Sequence, residues 1–387
     1  MSIRKKICIV TGGRAEYGLF HPLITAIGND GTFKLQLAVT GMHLSAKFGN
    51  TYKEISNDGV SIDAKIPIGL GDDSPLGILK SMSQALAGLG RAFTKLRPDY
   101  VLLLGDRFET FCAAAAAHVN RIPLIHLHGG ELSEGVIDDA FRHAVTKMSQ
   151  LHFASTDEYR KRIIQLGEDP RHVYTVGAIG LDNINETQQL NARELAADLG
   201  FVVDENTVIV TFHPATLERT AAGRQFGELL QALEKIPRLK VLFTRPNADT
   251  GGQAIIKMID SFVKRHRDRA VSYVSLGRIR YLAAVSAAGA VAGNSSSGII
   301  EVPSLGKPTI NIGDRQKGRI MANSIINCPP EALALERALR KAFSPSFREL
   351  AKKVRNPYGN GKTALRILTI MKKELPGLQI KKHFHDL

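Results

Sequence analysis

The sequence predicts an α/β protein made of two doubly wound domains with a cleft between them. Three observations carry this expectation. Short strands rich in Val, Leu and Ile alternate with helical stretches along nearly the whole chain, as in parallel sheets covered on both faces. After Gly177 a polar connecting region (Asp182, Asn183, Asn185, Glu186, Gln188, Gln189) interrupts that alternation, which then starts afresh. A length of 387 residues suffices for two domains, each with its own core. The expected division is 1–178, 179–358, and a closing helix and tail over 359–387 that can pack back on the first domain.

Taken in order, residues 6–11 read as a first strand that closes at Thr11-Gly12-Gly13. Arg14-Ala15-Glu16-Tyr17 then opens a helix through about residue 27. Residues 34–40 form a second strand, stopped by Gly41-Met42-His43, and 62–68 a weaker third. A helix over 76–96 stops at Arg97, because Pro98 disfavours helix in the residue before it. The strand over 100–104 runs into Gly105-Asp106-Arg107, and an alanine-rich helix covers 109–119. Strands over 123–127, 151–154 and 173–176 complete the first half. In the second half five strands are expected, over 207–212, 241–244, 271–276, 289–292 and 309–312. They are followed by His213-Pro214, Arg245-Pro246-Asn247, Gly277-Arg278, Gly293-Asn294-Ser295-Ser296-Ser297-Gly298 and Gly313-Asp314-Arg315. The last helix, over 363–373, is amphipathic.

Composition narrows the function. The 44% apolar content is that of a globular protein, and no run of about 18 apolar residues offers a membrane span. The opening MSIRKKICIV has only a short apolar run, which leads straight into the first glycine corner. It reads as a strand and not as a secretory signal, so a cytoplasmic protein is expected. Cys8, Cys112 and Cys328 are too widely spaced for a metal knuckle or disulfide framework, and are expected as reduced packing residues. Lys and Arg outnumber Asp and Glu by 51 to 37, a net charge of +14 that suits a small phosphorylated ligand as well as a nucleic acid. The basic residues are dispersed, tryptophan is absent and no nucleic-acid module is recognisable, so no nucleic-acid partner is expected.

The chemistry is expected in HLHGGELSEGVIDDAFRHAVTK, residues 126–147. A strand ends there in a Gly129-Gly130 corner, Glu131 follows, and a helix begins. Asp138 and Arg142 stand four apart on that helix, so they share a face, can pair, and can look back toward the strand ends where α/β sheets bind ligands. Asp139 and His143 repeat the spacing one residue on. Acids in a first helical turn are also favoured by the helix dipole alone, which accounts for Asp139 as well as chemistry does.

A second candidate is Gly293-Asn294-Ser295-Ser296-Ser297-Gly298, a turn between a strand and a helix. Backbone amides and the positive helix end there favour an anion, although serine and asparagine are also ordinary helix caps. Glu301, one turn on, can accept from ribose hydroxyls, and Arg315, Gln316 and Arg319 can donate to a diphosphate. No GxxxxGK[ST] loop is present, and Thr11-Gly12-Gly13-Arg14 matches a dinucleotide fingerprint only loosely.

Together GGRAEYGLF (12–20), GMHLS (41–45), LGDRFE (104–109), HGGELSEGVIDDAFRH (128–143), TFHP (211–214), GNSSSGIIE (293–301) and NIGDRQKGR (311–319) give the chain a family likeness. It resembles the hydrolysing UDP-N-acetylglucosamine 2-epimerases, bacterial enzymes of sialic-acid and related nonulosonic-acid synthesis. The resemblance covers nearly the whole chain. It implies two Rossmann-like domains in the GT-B arrangement, the nucleotide on the second and the sugar in the cleft, without metal or nicotinamide. It also suggests a homodimer or homotetramer. Position by position, it implies Asp106, Glu131 and Asp138 as catalytic carboxylates and His213 as the cleft histidine. Arg14 and His43 would contact the diphosphate or sugar, and Ser295, Ser296, Glu301 and Arg315 the nucleotide. Asp182 and Asn247 fall where the sugar is expected, and Arg142 is a further candidate substrate contact. Glu16 departs from the aspartate of the animal relatives, and the loop over 131–135 looks one residue longer than theirs, as in bacterial members.

The reaction so implied converts UDP-N-acetylglucosamine and water to N-acetylmannosamine and UDP, by anti elimination to a 2-acetamidoglucal and then hydration, for sialic-acid synthesis. Some bacterial members act on N,N'-diacetylbacillosamine instead, UDP- or GDP-linked, for legionaminic acid. More distant readings are a non-hydrolysing epimerase, a GT-B glycosyltransferase and a non-catalytic nucleotide-sugar binder. The paired arginines expected of the first after its central histidine are absent, since His213-Pro214-Ala215-Thr216 stands there. The number of carboxylates disfavours the last.

Overall fold

The computed structural model describes residues 4–186, 190–215, 222–246 and 251–387. The chain divides into two compact units: Met1–Glu131, Asp138–Asn183 and Tyr358–Leu387 form the first, and Leu132–Ile137 and Ile184–Pro357 the second.

Unit 1 holds strands β1 (Lys5–Thr11), β2 (Phe33–Thr40), β3 (Ala64–Ile66), β4 (Tyr100–Leu104), β5 (Leu124–Leu127), β6 (Leu151–Ala154) and β7 (Val173–Thr175). All pair in parallel, in the order β3-β2-β1-β4-β5-β6-β7. The order reverses between β1 and β4, and such a switch point opens a crevice at the strands' carboxyl ends. The connecting helices are α1 (Arg14–Asn29), α2 (Tyr52–Asn57), α3 (Pro75–Leu96), α4 (Phe108–Val119), α5 (Asp138–Met148) and α6 (Asp157–Gln165), and α7 (Asp182–Glu186) begins in this unit and continues past Asn183 into unit 2. Helix α3 starts because Ser74 accepts from the Gly77 amide at 3.1 Å, and it ends on Arg97 in a left-handed conformation just before Pro98.

Unit 2 holds strands β8 (Thr207–Thr211), β9 (Lys240–Thr244), β10 (Ala270–Tyr273), β11 (Ala290–Gly293), β12 (Thr309–Ile312) and β13 (Ile325–Cys328), parallel in the order β10-β9-β8-β11-β12-β13. Its helices are α8 (Ala192–Leu199), α9 (Ala222–Glu234), α10 (Gly252–Arg265), α11 (Gly277–Ala287), α12 (Ser296–Ile300), α13 (Ala332–Ala342) and α14 (Pro345–Lys352). Six described strands replace the five expected. The extra one, β13, is an edge strand in which only Cys328 is fully buried, so no continuous apolar run announces it. The helix after Gly293 is also shorter than a full element, because Pro303 enters a 3-10 turn over Val302–Leu305.

Helix α15 (Thr363–Glu374) belongs to unit 1, where Ile367 and Met371 join Ile7 and Ile9 of β1 and Phe20, Leu23 and Ile27 of α1 in one buried cluster. Burying side chains of this size contributes about 1.5–3 kcal/mol each. In unit 2 the rings of Phe212, Phe226, Phe243 and Phe262 contact one another in series at the sheet face. The three cysteines are free and buried, and burial pushes the thiols of Cys8 and Cys112 up to about 12 and that of Cys328 to about 11. No helix among the described residues is long and apolar enough to cross a membrane.

The short excursion Leu132–Ile137 counts with unit 2 for a local reason. The Glu134 amide donates to the Lys317 carbonyl at 3.4 Å, and Arg319 reaches the Ser133 hydroxyl at 3.4 Å. A Cβ on Gly135 would come to 3.0 Å from the Arg315 Cα, so any larger residue would press on the facing backbone.

Candidate active site

At the carboxyl end of β5 the chain turns through His128 (φ 62) and Gly130 (φ 74). A Cβ on Gly130 would fall 2.3 Å from the Tyr159 carbonyl oxygen, so a side chain is excluded there. The turn delivers Glu131 into the interior of unit 1, where its side chain is 1% exposed. His128 Nδ1 lies 2.7 Å from Glu131 Oε1, and the Ser155 hydroxyl donates to the same oxygen at 2.7 Å. Arg142 on α5, equally buried, brings Nη1 to 3.8 Å from Glu131 Oε2 and donates to the His128 carbonyl at 3.1 Å. Its Nη2 binds Asp106, which stands in the loop after β4 and keeps 22% of its side chain exposed. One buried guanidinium thus joins two carboxylates from different strand ends. A buried charge needs such compensation, and an arginine fork provides it with fixed geometry.

The sequence suggests Arg142 as a substrate contact that can pair with Asp138; its guanidinium also engages Asp106 and the His128 carbonyl, and so organises the carboxylates. Asp138 and Asp139 occupy the first turn of α5, and Asp139 lies 3.5 Å from His143. Sequence reasoning gave no role to His126, His128 or Ser155. His126 Nε2 lies 2.8 Å from the Gly105 carbonyl and Nδ1 3.2 Å from the Thr146 hydroxyl, and burial pushes the ring down to about 3, so it stays neutral while tying β4, β5 and α5 together. For His128 a signal was available, since its spacing of three from Glu131 suits a turn that folds back on itself.

Around the ends of β1 and β2 the picture is more structural. Arg14 Nε pairs with Glu54 at 2.8 Å. His43, expected to touch diphosphate or sugar, is fully buried with Nδ1 2.9 Å from Thr51 and Nε2 3.1 Å from Thr11. Both ring nitrogens are engaged within the chain, and burial pushes the ring down to about 4. Glu16 accepts from the Gly12 amide at 2.6 Å and from Thr11 at 3.2 Å. Burial lifts its carboxyl to about 7 against the pull of the Gly12 N–H, and the neighbouring Glu109 adds to the rise. Asp182 is buried too, and its two oxygens accept from the Thr363 and Ala364 amides at 2.8 and 2.7 Å. It thereby caps the first turn of α15, a structural role beside the sugar contact expected of it.

In unit 2 Asn294 is the organising residue. Its side chain accepts from the His213 amide at 2.7 Å and donates to the His213 carbonyl at 2.8 Å, clamping the backbone two residues past the end of β8. Its own carbonyl accepts from Arg315 and Gln316, both at 2.9 Å. Gly293 (φ 135) lies so close to β8 that a Cβ would sit 1.9 Å from the Thr211 oxygen. Ser295 stands at the N-cap of α12, yet its hydroxyl makes no capping bond, so the ordinary cap does not account for it. Tyr281 bonds Ser297 at 2.8 Å, and burial pushes its hydroxyl well up, with the Glu301 charge contributing. Asn247 lies outside the described residues. Among the described residues no group of three or more His, Cys, Asp or Glu is arranged to hold a metal.

The family model for UDP-N-acetylglucosamine 2-epimerase matches residues 25–372. The chain is 40% identical to the Campylobacter jejuni GDP/UDP-N,N'-diacetylbacillosamine 2-epimerase (hydrolyzing), over 89% of each chain. It is 40% identical to the polysialic acid biosynthesis protein P7 of Escherichia coli, over 95% of this chain and 94% of that one. It is 35% identical to the Legionella pneumophila UDP-N,N'-diacetylbacillosamine 2-epimerase (hydrolyzing), over 95% and 96%. In fold it matches a Neisseria meningitidis UDP-GlcNAc 2-epimerase solved with UDP-GlcNAc, at a TM-score of 0.79 and 18% identity, over 95% of this chain and 100% of that one.

Proposed function

Because the chain belongs to the hydrolysing UDP-N-acetylglucosamine 2-epimerase family, whose members act on nucleotide sugars, we propose that it converts UDP-N-acetylglucosamine and water to N-acetylmannosamine and UDP. The observation that carries this reading is one buried arginine, Arg142, holding both Asp106 and Glu131. Two carboxylates at fixed separation suit a reaction that removes a proton from one face of a sugar and returns one to the other, while positive character develops at carbon 1.

The proton on carbon 2 becomes acidic as the bond from carbon 1 to the diphosphate breaks. In the first half the C2–H electron pair becomes the second bond of a 2-acetamidoglucal, the proton passes to a carboxylate, and UDP leaves with the C1–O pair. In the second half carbon 2 takes a proton on the opposite face and water adds at carbon 1. Asp106, Glu131 and Asp138 are assigned to these proton steps, with His128 and Arg142 holding Glu131. His213 is assigned to assist these proton steps. In unit 2 the amides at Ser295 and Ser296 and the Arg315 guanidinium are assigned to the diphosphate, and Glu301 to the ribose. The enzyme is expected to work as a homodimer or homotetramer, which light scattering on the purified protein measures.

A second reading, the same reaction on UDP- or GDP-N,N'-diacetylbacillosamine, is favoured by the names of the Campylobacter and Legionella relatives. Incubation with each nucleotide sugar in turn, with products followed by NMR, tests both. Free UDP with N-acetylmannosamine supports the first; release from the diacetylated substrate alone supports the second. A nucleotide-linked epimer with no free sugar contradicts both.

A further inference from the structure

We propose that segment 379–387 is a strap that fixes the C-terminal end of α5, and that Lys382, Glu168 and Lys147 are thereby positioning residues for Arg142 and Asp138 at the other end of that helix. The strap joins α5 at two places. Lys147, in the last turn, donates to Glu168 Oε1 at 2.6 Å. Lys382 donates to Glu168 Oε2 at 2.6 Å and also to the carbonyl of Ser149, just past the end of α5, at 2.6 Å. Glu168 is thus a buried hub, 2% exposed, between a helix residue and a strap residue, with His152 Nε2 a third partner at 3.1 Å. Burial opposes its ionisation, yet these three partners outweigh burial and hold it at about 2.

The neighbouring contacts keep the strap in register. Gln150 donates to the Ile380 carbonyl at 3.2 Å, and the His385 amide donates to the Gly167 carbonyl at 3.0 Å. Phe384 lies on the bare backbone of Gly167, where a Cβ would fall 2.3 Å from its ring, and the Lys147 ammonium stands 4.9 Å from the ring centroid. A lysine on the final carbonyls of a helix also complements the negative end of the helix dipole. Lys147 and Arg142 are five positions apart, roughly 7–8 Å along a stiff rod at about 1.5 Å per residue. Movement at the strapped end therefore reaches the arginine that holds Asp106 and Glu131. Neither Lys382 nor Glu168 lies among the residues assigned to chemistry.

The kinetic half of this proposal rests on the assignment of chemistry to unit 1, and the structural half does not. Lys382→Ala, Lys382→Arg and truncation after Ile380 are compared with the wild type, with the exposed Lys381→Ala as control. Backbone hydrogen exchange of the α5 amides is expected to speed up about tenfold or more in Lys382→Ala and the truncation. In the same proteins kcat is expected to fall about tenfold with KM within twofold, because a small displacement of a catalytic group acts on turnover more than on binding. Lys382→Arg restores both, and Lys381→Ala changes neither. Unchanged α5 exchange in Lys382→Ala overturns the strap, and faster exchange at unchanged kcat overturns the positioning role. A wild type that turns over no nucleotide sugar counts against the functional reading alone, and the exchange comparison still decides the strap.

Discussion

Glu131 touches His128, Ser155 and Arg142, so its charge can be removed while its shape and most hydrogen bonds remain. Glu131→Gln is expected to lower kcat by about 10²–10⁴ while the dissociation constant for UDP, measured by calorimetry, stays within about twofold. Full activity would remove Glu131 from the mechanism. Glu301→Ala and Arg315→Ala are expected to do the reverse, weakening UDP binding about tenfold, the loss of one charge-assisted contact. Glu16 gives a pH signature. Its folded carboxyl titrates at about 7, above its ordinary 4.5, so the native state binds the extra proton. That stabilisation is complete below about 4.5 and is lost as pH rises through about 7. Glu16→Gln keeps the acceptor for the Gly12 amide but cannot ionise, so its Tm minus that of the wild type should increase between pH 4.5 and 8. A constant difference would contradict the protonated Glu16. Asp106, Glu131 and Arg142 were legible as candidate site residues from motif and spacing, and the structure brings the three side chains together. That Arg142 also reaches Asp106 was not legible, because it depends on β4 lying beside β5, a fact of sheet order and not of helical periodicity.

At the level of elements, Asp182 shows how a polar residue near a motif can serve the fold. It accepts two amides at the start of α15, the helix that packs on α1 and β1. Asp182→Ala is expected to destabilise unit 1 by about 1–3 kcal/mol in chemical denaturation, from the lost cap and the buried amides left without partners. KM of the folded fraction should be unchanged; a raised KM at unchanged stability would return Asp182 to the sugar. Strands with continuous Val, Leu and Ile were readable from the sequence, β1, β4 and β8 most easily, since burial on both faces writes an unbroken apolar run. Strand β13 was not, because an edge strand needs only one partner and little apolar surface. The same limit hid the grouping of Leu132–Ile137 with unit 2, which depends on the bare backbone of Gly135 lying against Arg315.

For the molecule as a whole, the doubly wound α/β class followed from the alternation of strand and helix, and both parallel sheets have it. A doubly wound fold hosts many chemistries, so it does not by itself select a substrate. What the chemistry does fix is the fate of one hydrogen and one bond. The direct test is turnover of UDP-N-acetylglucosamine, with the diacetylated sugar nucleotides in parallel, in deuterated water with NMR of the products. Free UDP and a sugar inverted at carbon 2, carrying one solvent deuterium there, is the predicted result. A product that keeps its original hydrogen at carbon 2, or that stays joined to the nucleotide, would contradict it.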